Sequence, residues 1–478
     1  MTRVQPQEPA GAGWLGRLRH GPISDVDLVR SACGIGACLL LATLLSYLRA
    51  WLAGTVKVDE AGLAKFHGMW IDTALVTCLV VAGGLHVRVC WGGARSNWPL
   101  LLGAGVAIQL AAAPALPLTS NDIFSNLANG RMVQHGQNPY VQVPEDLDAH
   151  DPIRGLVGAH WRDKPTPYGP IVTYISVLAA KAGPPWAAMI VFKAALLACS
   201  LGYVLLAYRF CRDHLPSGDA AVSFIVLGWN PLLAWEISGQ AHNDGFMLLG
   251  TAGFVWAAAA RREWLAWLAL SLAFCAKIAI APVMGLYLVF QVRRSVVRAA
   301  AMIVAGGALF AVLFAPFWQG PASLRSILNA VDATPDKLAN SWMALICGGL
   351  ALVAPYWQHL VFRVWTAAAR LGFGVLAAVL AWRATTLPGL LADSVVFILL
   401  YQCLAVGWFL CWYATWLVPL AVGCRQIGLQ RTVAVYCALV PLYYLPMDGF
   451  GISLMLAPVV PLVMLARDRS WLKQSLAS

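Results

Sequence analysis

Charge is what this sequence has least of: Asp, Glu, Lys and Arg make up 12% of its 478 residues, against 60% hydrophobic. A water-soluble domain carries about twice that charged fraction, so an ordinary soluble globular protein is excluded. Its 12 cysteines include no CxxC pair or other metal spacing and lie mostly within apolar runs. That excludes a zinc ribbon or a thioredoxin-like dithiol and leaves reduced, buried thiols. No internal repeat of transporter type and no low-complexity tract is visible. Carboxylates are scarcer than bases, and the net charge is +11. In a soluble protein that surplus would suggest nucleic acid. Here the bases sit in short connections such as Arg293-Arg294-Ser295-Val296-Val297-Arg298, which is the positive-inside pattern of membrane proteins. No nucleic-acid partner is expected, and the charge pattern points to membrane lipids.

What the chain does have is apolar runs that recur to its C-terminus, too long and too continuous for barrel strands. Lipid forces backbone polar groups into helices, so the fold class is an all-α polytopic membrane protein, with about 12–14 transmembrane helices at roughly 20 residues per crossing. Candidate helices run near 31–53, 69–90 and 98–117. Arg17, Arg19 and Arg30 precede the first run, which is too long for a cleaved signal core. Arginine placement puts Arg88 and Arg95, Arg209 and Arg212, Arg261 and Arg262, Arg293 to Arg298, Arg383, Arg425, Arg431, and finally Arg467, Arg469 and Lys473 on the cytoplasmic side. The segments 170–182 and 341–356 then cannot cross fully and read as re-entrant or peripheral helices on the outer face. The stretch 264–291 reads as two short helices hinged near Lys277 and Pro282. The expected organisation is a cytoplasmic tail over 1–28, one transmembrane domain over 29–467 with external loops at 118–168 and 318–340, and a cytoplasmic tail over 468–478.

The chemistry is concentrated in a polar island from Thr119 to Tyr168, opening on Ser120-Asn121-Asp122-Ile123. Asp122 follows an apolar run ending near Pro117, which places it at the outer membrane boundary. A carboxylate there can serve as a general base for a substrate hydroxyl; the competing reading is a helix cap, with Asn121 or Asp122 starting a helix through Ile123, Phe124, Leu127 and Met132. Glu145, Asp146, Asp148 and Asp151 surround prolines and form no Asp-x-Asp, so they read as a solvated loop and no metal is expected.

The island continues with Asn129-Gly130-Arg131, Asn138-Pro139-Tyr140 and Thr166-Pro167-Tyr168-Gly169-Pro170. Further on come Trp229-Asn230-Pro231, Glu236 and Gly239-Gln240-Ala241-His242-Asn243-Asp244, then Lys277 with Pro282, and Trp412-Tyr413-x-x-Trp416-x-x-Pro419. This ordered set resembles the GT-C superfamily of integral-membrane glycosyltransferases. It is nearest the bacterial polyprenyl-phosphate-mannose-dependent enzymes of glycosyltransferase family 87 and the α-1,6-mannosyltransferase type. The resemblance spans about 119 to 419.

The resemblance implies the GT-C fold, with Asp122 as the catalytic base. Asn121, Arg131, Tyr168, Glu236, His242, Asp244 and Lys277 would bind the donor phosphate or substrate. The implied reaction moves a hexose, most simply mannose, from a polyprenyl-phosphate donor to a lipid or glycan acceptor hydroxyl on the extracytoplasmic face of the plasma membrane, with inversion and without a cofactor. Several residues keep a second reading. Arg131 and Lys277 could reach the interface, and Asn243 or Asp244 could cap the next helix. Arg363 and Arg370 share one helical face and suit a lipid phosphate or an ion pair equally; Lys193 has no assignment. The alternative function is a transporter or flippase of a polyprenyl-linked or sugar-containing lipid. That would place polar, broken helices at the bilayer midplane, whereas the candidate groups here fall on one outer face.

Overall fold

In the computed structural model the described residues are 23–52, 69–92, 97–329, 338–445 and 452–468. Arg17, Arg19, Arg95, Arg469, Lys473 and part of the 318–340 loop lie outside them. Among the described residues all regular structure is helical; Ala339 and Trp408 form one isolated bridge. The protein is an all-α, multi-pass membrane protein. Among the described residues seven helices are long and apolar enough to cross a bilayer, and eight more apolar helices have 10–17 residues. At 1.5 Å per residue, the shorter helices span about 15–25 Å, less than the roughly 30 Å hydrocarbon layer.

Local sequence sets the helix boundaries. Asn97, Ser295, Ser341 and Thr386 each accept a backbone N–H in the first turn of the helix they precede, satisfying donors that have no intrahelical partner. The segments expected to be peripheral form helices Pro170–Ala180 and Trp342–Val353. The 264–291 stretch divides into Glu263–Ala276 and Ala281–Val292. Lys277 between them is extended, at φ −153° and ψ 127°. Pro282, in the first turn of the second half, lacks the N–H that a continuous helix would need.

Burial follows the same logic. The Asp219–Gly239 span is buried from Ala220 onward, with Trp229 and Trp235 fully buried. The Pro355–Arg383 helix instead exposes Val364, Leu371 and Val375, as a lipid-facing helix should. The enclosed span brings the 229–244 motifs to the centre of the bundle. Two glycines then let the island close on them. A Cβ at Gly130 would sit 2.2 Å from the Ser176 carbonyl oxygen, and one at Gly169 would sit 2.1 Å from that of Cys275. Only glycine permits either backbone approach. The second approach, fixed by a Gly169 N–H to Ala276 O bond of 3.0 Å, sets Tyr168 beside Lys277.

Candidate active site

Helix Asp122–Gln134 begins at Asp122 itself. Asn121 occupies the cap position, but its side chain makes no capping bond, and the Asp122 N–H donates to Ser120 Oγ at 3.1 Å. The Asp122 carboxylate is therefore not consumed as a cap. Its Oδ1 accepts from the indole N–H of Trp161 at 2.8 Å, and its Oδ2 lies 4.0 Å from His242 Nδ1. Asp122 is 9% exposed. Burial raises its pKa above the ordinary carboxylate value; the Trp161 hydrogen bond and the nearby Lys277 charge pull in the opposite direction.

His242 sits in the connection after the π-helical turn Ala234–Gly239, a distortion frequent at functional sites. The residue before it, Ala241, has φ 63°, a left-handed conformation that costs an L-residue about 1 kcal/mol or more. That turn points the imidazole back to the cluster. His242 Nε2 is 3.4 Å from Glu236 Oε2, and its ring stacks on Trp412 at 3.5 Å between centroids, 20° from parallel. Burial, followed by the repulsion of Lys277, holds its pKa well below the usual histidine value. The shift disfavours the imidazolium form. The Glu236 carboxylate accepts hydrogen bonds from the Tyr444 hydroxyl, at 3.0 and 3.2 Å.

The cation of the site is Lys277. Its ammonium donates to both oxygens of Asp244, at 2.9 and 2.8 Å, and lies 5.4 Å from the ring centroids of Tyr168, Tyr413 and Trp416. Trp416 Nε1 donates to Asp244 Oδ1 at 2.5 Å. The extended backbone at position 277 breaks the helix and frees this side chain to enter an aromatic cage. Burial also raises the pKa of the Tyr168 phenol, which stays protonated as a donor. Asn121 is 5% exposed, and its amide nitrogen has no hydrogen-bond partner among the described residues.

A polar lattice fixes these groups. Asn243 donates to Asn126 at 3.1 Å, and Asn126 donates to the Asp122 carbonyl at 2.9 Å. Gln240 Oε1 accepts from the backbone N–H groups of Leu118 and Thr119, at 2.8 and 2.9 Å, and from the Thr119 hydroxyl at 3.0 Å. Its Nε2 donates to Leu116 O at 3.1 Å. Lys193 donates to the carbonyls of Ala115, at 2.9 Å, and of Ser238 and Gly239. It thus ties the end of the π-helical turn to the chain leading into Asp122, a role the sequence left open.

Asp122, His242, Glu236, Asp244, Lys277, Tyr168 and Asn121 are thus close together or joined through shared neighbours, but Arg131 is not in the cluster. It pairs with Asp151, through Nε at 3.1 Å and a terminal nitrogen at 3.0 Å. Nine residues of helix rotate a side chain through about two and a half turns, to the opposite face. Asp151, expected in a solvated loop, is correspondingly buried. Glu145 pairs with Arg154 at 2.7 Å, and among the described residues no three His, Cys, Asp or Glu side chains gather as a metal site. Arg363 and Arg370 are exposed on the Pro355–Arg383 helix. Trp161, Gln240, Tyr444 and Trp412 carry contacts that spacing alone did not assign. The one available signal for Gln240 was its place inside the Gly-x-x-His-Asn-Asp run.

A buried carboxylate, a buried imidazole and a lysine caged by aromatic rings, gathered in an all-α bundle of membrane-length helices, define the class: an integral-membrane protein whose polar groups converge on one enclosed site. The comparison with known proteins is narrower. Residues 33–294 match the model of the family described as Alpha-(1->6)-mannopyranosyltransferase, N-terminal domain, and this chain belongs to that family. It is 30% identical over 138 residues to an alpha-(1->6)-mannopyranosyltransferase of Mycobacterium tuberculosis, covering 28% of this chain and 23% of the relative. It is 33% identical over 147 residues to alpha-(1->6)-mannopyranosyltransferase B of Corynebacterium glutamicum, with the same coverages. A probable alpha-(1->6)-mannopyranosyltransferase of Mycolicibacterium smegmatis is 31% identical over 152 residues, covering 30% and 26%. The aligned stretches thus span about a quarter of each relative. No solved structure matches the chain.

Proposed function

We propose that the protein is a glycosyltransferase that moves mannose from a polyprenyl-phosphate donor to an acceptor hydroxyl, on the extracytoplasmic face of the plasma membrane and with inversion. The observation that carries this reading is the placement of Asp122, buried with one oxygen held by Trp161 and the other open toward His242. A carboxylate of raised basicity in an enclosed site suits abstraction of a hydroxyl proton as the oxygen attacks the anomeric carbon. The leaving group is a lipid phosphate, so the further requirements are a cation and fixed dipoles where charge accumulates. Lys277 supplies the cation, while the Tyr168 hydroxyl and the Asn121 amide supply donors. His242 and Glu236 are placed to orient sugar hydroxyls. Arg131, held by Asp151, is not assigned to the phosphate. Mannose is supported by family membership and by the names of the relatives, the lipid-phosphate donor by the resemblance of the ordered motif set, and the orientation by the arginines at the opposite end of the bundle. The acceptor is a lipid or glycan.

The test is sugar transfer by the purified protein in lipid, comparing polyprenyl-phosphate-mannose with a nucleotide-linked mannose, with the anomeric configuration of the product read by NMR. Transfer from the lipid donor alone, with inverted configuration, is expected. Transfer from the nucleotide sugar, or retained configuration, overturns the reading.

A further inference from the structure

A polar chamber lies at the end of the bundle away from Asp122. Helix Asp244–Ala259 has 16 residues, so its far end is about 24 Å from the catalytic cluster. There a cavity of about 560 Å³ is bordered by His214, Arg261, Arg294 and Arg425, with Gln291 and Tyr287 in its wall. Glu263 is the carboxylate in the lining, and it already pairs with Arg294 at 3.2 Å and with Arg298. Among the described residues neither Arg261 nor Arg425 has a carboxylate partner, so the chamber is left cationic.

Ordinary positive-inside arginines lie along the headgroups, and their placement needs only solvent access. This set differs in three respects. The arginines come from separate connections, after Ala259, after Val292 and after Val422, yet converge on one cavity. Arg261 is held there by a left-handed backbone, φ 57°, which a side chain other than glycine adopts at a cost. Gln291 is fully buried in the wall. The rest of the lining, with Phe210, Phe290 and Leu391, is apolar.

We infer that this chamber binds a phosphate-bearing ligand, either the headgroup of an anionic lipid or a free phosphate, between Arg261 and Arg425. Guanidinium groups bind phosphate oxygens through paired, charge-assisted hydrogen bonds, Gln291 adds an uncharged donor, and the apolar wall accommodates acyl or glycerol carbons. The site is distinct from the one that carries Asp122 and does not depend on the transferase reading.

The experiment uses the full-length protein in neutral detergent, comparing wild type with Arg261→Gln/Arg425→Gln. Retained phosphatidylglycerol is counted by native mass spectrometry, and inorganic phosphate is titrated separately and as a competitor. Loss of two charge-assisted contacts should weaken phosphatidylglycerol retention or phosphate binding by about tenfold or more. Lipid loss that phosphate does not compete for identifies a headgroup site; competition by phosphate, or phosphate binding lost in the variant, identifies a phosphate site. Equal behaviour of wild type and variant toward both anions overturns the inference. Thermal unfolding is measured alongside, and if the double variant fails to fold, Arg425→Gln alone is read by the same criteria, since Arg425 is exposed.

Discussion

Both carboxylate oxygens of Asp244 accept hydrogen bonds from the Lys277 ammonium, at 2.9 and 2.8 Å. The pair is almost fully enclosed: the Asp244 side chain is 1% exposed and that of Lys277 13%. Removing one partner leaves a buried charge uncompensated. Lys277→Met should therefore destabilise the protein by about 3–5 kcal/mol, while Lys277→Met with Asp244→Asn recovers most of that loss. Because Lys277 is also assigned to the phosphate, the double variant should regain its melting temperature without regaining sugar transfer. Recovery of both would reduce the lysine to a structural role.

The acid side of the pH–rate profile should report Asp122. A general base works only when deprotonated, and burial raises its pKa, so activity should fall at a pH above the ordinary carboxylate range as the solution is acidified. The Trp161 N–H stabilises the charged form. Trp161→Phe removes that bond, raises the pKa further and moves the acid limb to higher pH. An unmoved limb would dissociate Trp161 from the base.

Gln240 is predicted to position Asp122 without touching substrate. Gln240→Leu deprives two backbone N–H groups and a hydroxyl of their shared acceptor, at a cost of about 1–3 kcal/mol per unsatisfied group. The expected signature is a fall in kcat with donor KM little changed, together with a displaced acid limb. A change in KM alone would count against positioning.

The fold class was legible because lipid leaves helical chains few options, and the hinge at Lys277 because arginines flank both sides of a stretch too apolar to leave the membrane. Much of the cluster was legible for a different reason. Asp122, His242, Asp244 and Lys277 belong to an ordered motif set, even though nothing in their separate spacings says that they meet. Arg131 lies apart from these groups because helical rotation carries it to the far face, where Asp151 returns from a later part of the loop. Trp161, Tyr444 and Trp412 reach the site through long-range folding, and among 21 tryptophans no local pattern singles out two.

Arg131 itself gives a discriminating test. If its role is to pair with buried Asp151, Arg131→Gln should lower stability by about 3–5 kcal/mol, and Asp151→Asn in the same chain should restore both stability and transfer. A donor-binding defect that persists in the double variant would return Arg131 to the phosphate site.

The most direct test of the account is the turnover of Asp122→Asn, measured with polyprenyl-phosphate-mannose and envelope acceptors in lipid, against wild type. The substitution keeps the size of the side chain and an oxygen that can accept from Trp161, so the fold and donor binding should persist. Loss of the base should lower kcat by about 10²- to 10⁴-fold. An Asp122→Asn protein that transfers mannose at a near wild-type rate would contradict the assignment of Asp122 as the base.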